Sequence, residues 1–127
     1  MSEAANNMIE LIFGASKARL ISCAVKLEIV EHLSKQSMNA NELSTLTNTK
    51  PELLYRFLRA LSSFGVLKEN SDEVFTVTEL GKTLDSSSEN SVRNTVLMEM
   101  EYSERVISNL DHTLRTGEVA FDNYYGI

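Results

Sequence analysis

One cysteine, one proline, two histidines and five scattered glycines are all this chain has of the residues that most often carry chemistry or strain. Each scarcity excludes something. With Cys23 alone no intrachain disulfide can form, which fits a reducing, cytoplasmic setting. Among Leu20, Ile21, Ala24 and Val25 it reads as a small buried thiol. Gly14, Gly65, Gly81, Gly117 and Gly126 lie too far apart to build the glycine-rich strand-to-helix turn through which a backbone approaches a nucleotide-like cofactor. His32 and His112 have no cysteine at ligand spacing, so they read as surface or helix-end residues and no metal site is expected. No apolar run approaches the ~20 residues of a transmembrane helix, and Met-Ser-Glu-Ala-Ala5 lacks the basic start of a signal peptide, so no membrane role is expected. Positive charge is short too: Lys+Arg 12 against Asp+Glu 18 gives −6, which opposes tight binding to phosphate backbones.

What is present is the composition of one ordinary globular domain. The 127 residues are 43% hydrophobic and 24% charged. From Asn6 to Leu33 the chain is helical in character, with Ile9, Ile12 and Phe13 ahead of Gly14, where a break is expected because glycine costs a helix stability. A second helix follows with Leu20, Ile21, Ala24, Val25 and Leu27, and Ile29, Val30 and Leu33 form a short third piece. The apolar arc from Leu20 to Leu27 is wider than the ~100° stripe of a surface helix, which predicts that a second chain or domain covers part of it; a central helix buried in its own domain is the alternative.

Asn39-Ala-Asn-Glu42 has the spacing of a capping box, and Thr49-Lys-Pro-Glu52 repeats it with a proline in the first turn. The helix after it carries Leu53, Leu54, Phe57, Leu58, Leu61 and Phe64 at i, i+3, i+4, i+7 spacing. Gly65 sits where a left-handed C-cap belongs. Val66–Glu69 and Glu73–Val77 read as strands around Asn70-Ser-Asp72, and Thr78 can cap a short helix over Glu79–Leu84. Helix, capped helix and hairpin in this order predict a winged-helix-like unit over residues 38–84, between N-terminal helices over 1–35 and C-terminal helices over 88–117. The fold class is mainly α with one small antiparallel β-hairpin, as a single domain over 1–127. In the tail, Phe121, Tyr124 and Tyr125 show no clear periodicity; aromatics this dense imply packing onto something.

A DNA-reading role is disfavoured by charge. Lys50, Arg56 and Arg59 outnumber Glu52 on the second helix, but the wing sets only Lys68 against Glu69, Asp72 and Glu73, and a wing lies beside phosphates. The arginines are equally placed to pair with Glu52 or Glu69. Glu99, Glu101 and Glu104 could form an acid–base pair but read better as a solvated acidic face.

The chain resembles the N-terminal dimerisation domain of small-molecule O-methyltransferases that use S-adenosylmethionine. The resemblance runs through Ala24-Val-Lys-Leu27, Ile29-Val-Glu-His-Leu33, Leu53-Leu-Tyr-Arg-Phe-Leu-Arg-Ala-Leu61, Phe64-Gly-Val-Leu67, Phe75-Thr-Val-Thr-Glu-Leu-Gly81 and Leu114-Arg-Thr-Gly117-Glu-Val-Ala-Phe121. It implies an interlocked homodimer with Ile9, Ile12, Phe13, Leu20, Ile21, Ala24 and Val25 at the interface, and Phe13, Met98 and Tyr102 against a small-molecule acceptor. It also implies that S-adenosylmethionine binding and the catalytic base belong to a Rossmann-like domain absent here, so this chain is expected to contain no catalytic or cofactor-binding residue and to be inactive alone. A winged-helix transcription regulator, and a stand-alone partner of a methyltransferase, are the alternative readings.

Overall fold

The computed structural model describes residues 2–126; Met1 and Ile127, which the single-domain reading includes, lie outside the described residues. Helix α1, Glu3–Lys26, starts where Ser2 Oγ accepts the Ala5 N–H at 3.1 Å. It runs unbroken through Gly14, contrary to the expected break. One glycine costs a helix interior only about 1 kcal/mol, less than the cost of nucleating a second helix beside it. The break falls instead at Leu27 and Glu28, where Glu28 takes φ 57 in the left-handed region. Helix α2, Ile29–Lys35, then turns back and buries Ile29, Val30 and Leu33.

The capping box at Asn39 opens α3, Ala40–Thr47. The Glu42 N–H donates to Asn39 Oδ1 at 2.9 Å, and the Asn39 N–H donates to Glu42 Oε1 at 3.0 Å. The second box does not form. Lys50 is the N-cap of α4, Pro51–Ser63, with no side-chain cap bond, and the Thr49 hydroxyl pairs with Thr47 Oγ1 at 2.9 Å. Pro51 takes the first helical position, which moves the cap one residue past Thr49. The expected stripe of α4 is only half right: Leu54, Leu58 and Leu61 are buried and Phe57 and Phe64 partly so, but Leu53 is 62% exposed. Three buried leucines contribute about 5–9 kcal/mol gross, before conformational entropy is subtracted.

Gly65, at φ +88, ends α4 in a Schellman arrangement: its N–H donates to Ser62 O, and the Val66 N–H donates to Leu61 O. Strands β1, Leu67–Glu69, and β2, Phe75–Val77, pair antiparallel with Leu67 opposite Val77 and Glu69 opposite Phe75. Both are shorter than the sequence pattern: β1 loses Val66, whose N–H is taken by Leu61 O at the helix end, and β2 loses Glu73 and Val74 to the turn, where Asn70 Oδ1 accepts the N–H groups of Asp72 and Val74. Phe75 is fully buried at the centre of the core, and its N–H donates to Met38 O. Thr78 caps α5, Glu79–Lys82, as expected.

The C-terminal part is less regular. Helix α6, Arg93–Met98, passes into a π-helical turn, Glu99–Ser103, then α7, Glu104–Val106, a 3₁₀ turn at Ile107–Asn109, and α8, Leu110–Thr116, ended by Gly117 at φ 73. The tail, which shows no periodicity in the sequence, forms helix α9, Ala120–Tyr125. Phe121 and Tyr125, four residues apart on it, pack with tilted rings whose centroids are 4.7 Å apart.

Candidate functional site

Helix α1 changes face along its length. In its inner half, Ala24 and Val25 are 1% and 2% exposed, with Leu20, Ile21 and Leu27 packed beside them against the chain's own core. In its outer half, Met8, Leu11, Ile12 and Phe13 are all more than half exposed. At about 100° per residue, the mean directions of the two apolar sets differ by roughly 150°. The arc from Leu20 to Leu27 is therefore covered mainly from within, and the apolar surface left bare lies upstream of it. Of the interface residues expected from the sequence, Ala24 and Val25 have no surface left to offer. Leu20, Ile21 and Ile9 are half-buried, and Ile12 and Phe13 are open. Cys23, read as buried, is exposed, because the core takes Ser22, Ala24 and Val25 on the other side of the helix.

A second feature lies at the opposite end of the sequence. The C-terminal helices form an open hollow of about 610 Å³ lined by Met98, Tyr102, Val106, Ile107 and Phe121 among others. That volume and its apolar wall suit a drug-sized organic molecule. Met98 and Tyr102 both line this hollow, and Phe13 is not among the lining residues. Phe121 is the contribution that sequence reasoning misses; the density of aromatics around it is the signal that points there. The π-helical turn places one extra residue between Met98 and the following helix, re-aiming Tyr102 relative to an uninterrupted α-helix.

That turn is tied to α1 by charge. Lys26 pairs with Glu101, Arg105 reaches the same carboxylate at 3.0 Å, and Arg19 Nη2 donates to Glu104 Oε1 at 2.6 Å. The hydrogen bond from Lys26, helped by the two cations and opposed by burial, holds the Glu101 carboxyl below its ordinary value. So Glu101 and Glu104 clamp the turn to α1, where the sequence pattern suggests a solvated acidic face. His112, on α8, bonds Glu118 at 2.7 Å. On the wing, Tyr55 donates its hydroxyl to Glu69 Oε2 at 2.6 Å, and Arg59 lies 3.5 Å from the same carboxylate, so Arg59 is engaged with the hairpin.

An inward-packed helix pair, a capped α3–α4 unit with its hairpin, and a long leading helix with a bare apolar end together define an assembly domain. Residues 9–87 match the O-methyltransferase dimerisation domain, and the chain belongs to that family. It is 30% identical over 94% of its length to the phenazine O-methyltransferase PhzM of Lysobacter antibioticus, covering 35% of that protein. It is 28% identical over 97% of its length to the O-demethylpuromycin-O-methyltransferase of Streptomyces alboniger, covering 33% of it. Among solved structures it superposes on LaPhzM with a TM-score of 0.92 at 28% identity, covering 99% of this chain and 38% of that one. On the mitomycin 7-O-methyltransferase MmcR the TM-score is 0.87 at 29% identity, covering 98% and 37%. The chain spans about a third of the length of these relatives.

Proposed function

We propose that this chain is the dimerisation and substrate-lid part of an S-adenosylmethionine-dependent O-methyltransferase, working in the cytoplasm as a homodimer. The acceptor is a small aromatic molecule bearing a hydroxyl group. Methyl-donor binding and catalysis belong to a Rossmann-like domain outside residues 2–126. Within this chain Met98 and Tyr102 face the acceptor, joined by Phe121; Ile9, Ile12, Phe13, Leu20 and Ile21 serve assembly.

The observation that carries the reading is the family match over residues 9–87 on a chain whose α1 leaves Met8, Leu11, Ile12 and Phe13 bare. Uncovered apolar surface of this kind is stable only when another surface removes it from water. The named acceptors of the relatives, phenazine and O-demethylpuromycin, support an aromatic guest, and the apolar hollow has room for one. Light scattering at tens of micromolar tests the assembly: twice the 14.2 kDa of one chain is expected, and a single-chain mass refutes it. Titration calorimetry with S-adenosylmethionine is expected to show no binding to this chain alone. Micromolar affinity would move the cofactor site into it.

A further inference from the structure

The wall of the C-terminal hollow is drawn from both sides of the π-helical turn. Asn94, Leu97 and Met98 precede the turn, Tyr102 lies near its end, and Val106 and Ile107 come after it. On an unbroken α-helix, at about 100° per residue, the mean directions of Asn94, Leu97 and Met98 and of Tyr102, Val106 and Ile107 would differ by roughly 150°. The Glu104 N–H donates instead to Glu99 O, five residues back, so the turn carries one residue more than an α-helical turn. That surplus winds the following chain back by about 100° and brings the two sets to within roughly 60° of each other. It also re-aims the other face. Thr95, Val96 and Glu99 line a groove against Ala18 and Ile21 of α1. An α-helix would carry Glu101 and Glu104 roughly 160° away from that side, whereas the surplus residue brings them round to where Lys26 and Arg19 of α1 reach them.

We propose that Arg19, Lys26, Glu101 and Glu104 are positioning residues for the hollow: their ion pairs select the π-helical register in which its wall is continuous. Releasing them lets the segment rewind into an α-helix, with the wall split between two sides. For the enzyme, the assignment rests on reading the hollow as the acceptor's seat. A single π-helical turn inside an α-helix is a rare conformation that needs support from outside its own backbone. Here α1 supplies it. Met100, the one buried residue of the turn, packs into the groove that holds Arg19, Ser22 and Lys26. Arg105 also meets Glu101, at 3.0 Å, but that pair has i, i+4 spacing and is open to an α-helix too, so only the two pairs to α1 discriminate between registers. No residue of α1 is among those lining the hollow. A helix that serves assembly thus sets the shape of the acceptor's seat without touching what sits there.

Deleting Glu99, which is exposed, separates the register from the ion pairs. Without that residue a plain α-helix reaches the same alignment of both faces, so the pairs are no longer needed to hold it. The readout is the part of bound 1-anilinonaphthalene-8-sulfonate fluorescence that Tyr102→Ala removes, with circular dichroism confirming that each variant folds. Two double substitutions break the pairs from opposite sides: Glu101→Gln with Glu104→Gln, and Arg19→Gln with Lys26→Gln. They change net charge in opposite directions, so a loss common to both is not a charge effect on the anionic dye. In the wild-type chain each is expected to weaken the dye's binding at least ~10-fold, and in the Glu99-deleted chain to change it less than ~3-fold. An equal loss in both backgrounds, or none in the wild type, overturns the assignment and leaves the hollow standing as a seat. A Glu99-deleted chain that does not fold overturns it too, because the deletion is argued to keep both faces aligned. Dye binding that does not depend on Tyr102 removes the seat and this assignment together.

Discussion

Substituting alanine at two glycines of this chain is expected to move stability in opposite directions. Gly81 is buried at the junction of α5 with the hairpin, and a Cβ there would stand 2.2 Å from Val66 O and 3.0 Å from Val77 Cγ1. The nearer obstacle is backbone, and Val66 O also accepts bonds from the Thr78 N–H and hydroxyl. The hairpin must therefore shift as a unit or give up that pair of bonds. Overpacking alone costs about 1–3 kcal/mol, and losing one hydrogen bond adds about 1 kcal/mol. Alanine recovers up to about 1 kcal/mol of helix propensity, little of it in a four-residue helix. The net expectation for Gly81→Ala is a loss of about 2–3 kcal/mol, or roughly 8–12 °C in melting temperature for a domain of this size. At Gly14 a Cβ would meet nothing within 4 Å, and the residue is helical without a positive φ. Gly14→Ala is expected to stabilise by about 0.5–1 kcal/mol. Urea unfolding followed by circular dichroism measures both, at one fixed protein concentration because assembly couples stability to concentration. A Gly81→Ala chain as stable as the wild type refutes the argument that the hairpin is locked against α5.

Acid is expected to loosen the C-terminal half first. Glu101 is held down by Lys26, and Asp85 by its bonds to Ser87, so both contribute stability that is fully present above the ordinary carboxylate range and is lost as pH falls through their lowered folded-state values. Melting temperature measured from pH 7 downward is flat above about pH 5 and falls below it, with a smaller fall in Glu101→Gln; an unchanged fall in that variant refutes the ion-pair clamp. Tyr55 ionises later than an ordinary tyrosine because its hydroxyl donates to Glu69, so ultraviolet titration is expected to show one delayed tyrosine that rejoins the others in Glu69→Gln. The hollow is expected to bind the dye 1-anilinonaphthalene-8-sulfonate. Tyr102→Ala and Phe121→Asp should each reduce its bound fluorescence at least ~3-fold if an apolar pocket of ligand size is the binding site; an equal loss in Leu46→Asp, on a distant exposed helix face, refutes that location.

The elements set by short-range chemistry can be read from the sequence alone. Asn39 and Glu42 close their box within four residues of chain, Gly65 supplies the positive φ that its helix end requires, and Thr78 caps its own helix. The same local rules misread Gly14 and Thr49, because the cost of one glycine is small beside helix cooperativity and because Pro51 decides which residue precedes the first turn. What stays hidden is long-range. Arg19 meets Glu104 across 85 residues of sequence, and no periodicity encodes a clamp of that kind. Leu53 and Cys23 look like core residues because they stand among apolar neighbours, but neighbours in sequence do not say which side of each helix the core takes. The two faces of α1 cancel when the helix is treated as one amphipathic unit, and only its halves taken separately show them. Of the residues lining the C-terminal hollow, Met98 and Tyr102 are suggested by family resemblance, whereas Phe121 joins them only through the folding of α9 alongside.

The reversal of α1 has a consequence for the life of a newly made molecule. Its leading turns have little of their own chain to lean on, and stretches of about 12–15 residues rarely hold a helix unaided in water. If the proposed dimer is what covers them, dilution is expected to unravel those turns and open the bond after Lys17 to trypsin, and crowding to protect it. The rate of nicking would then report how many copies have found company.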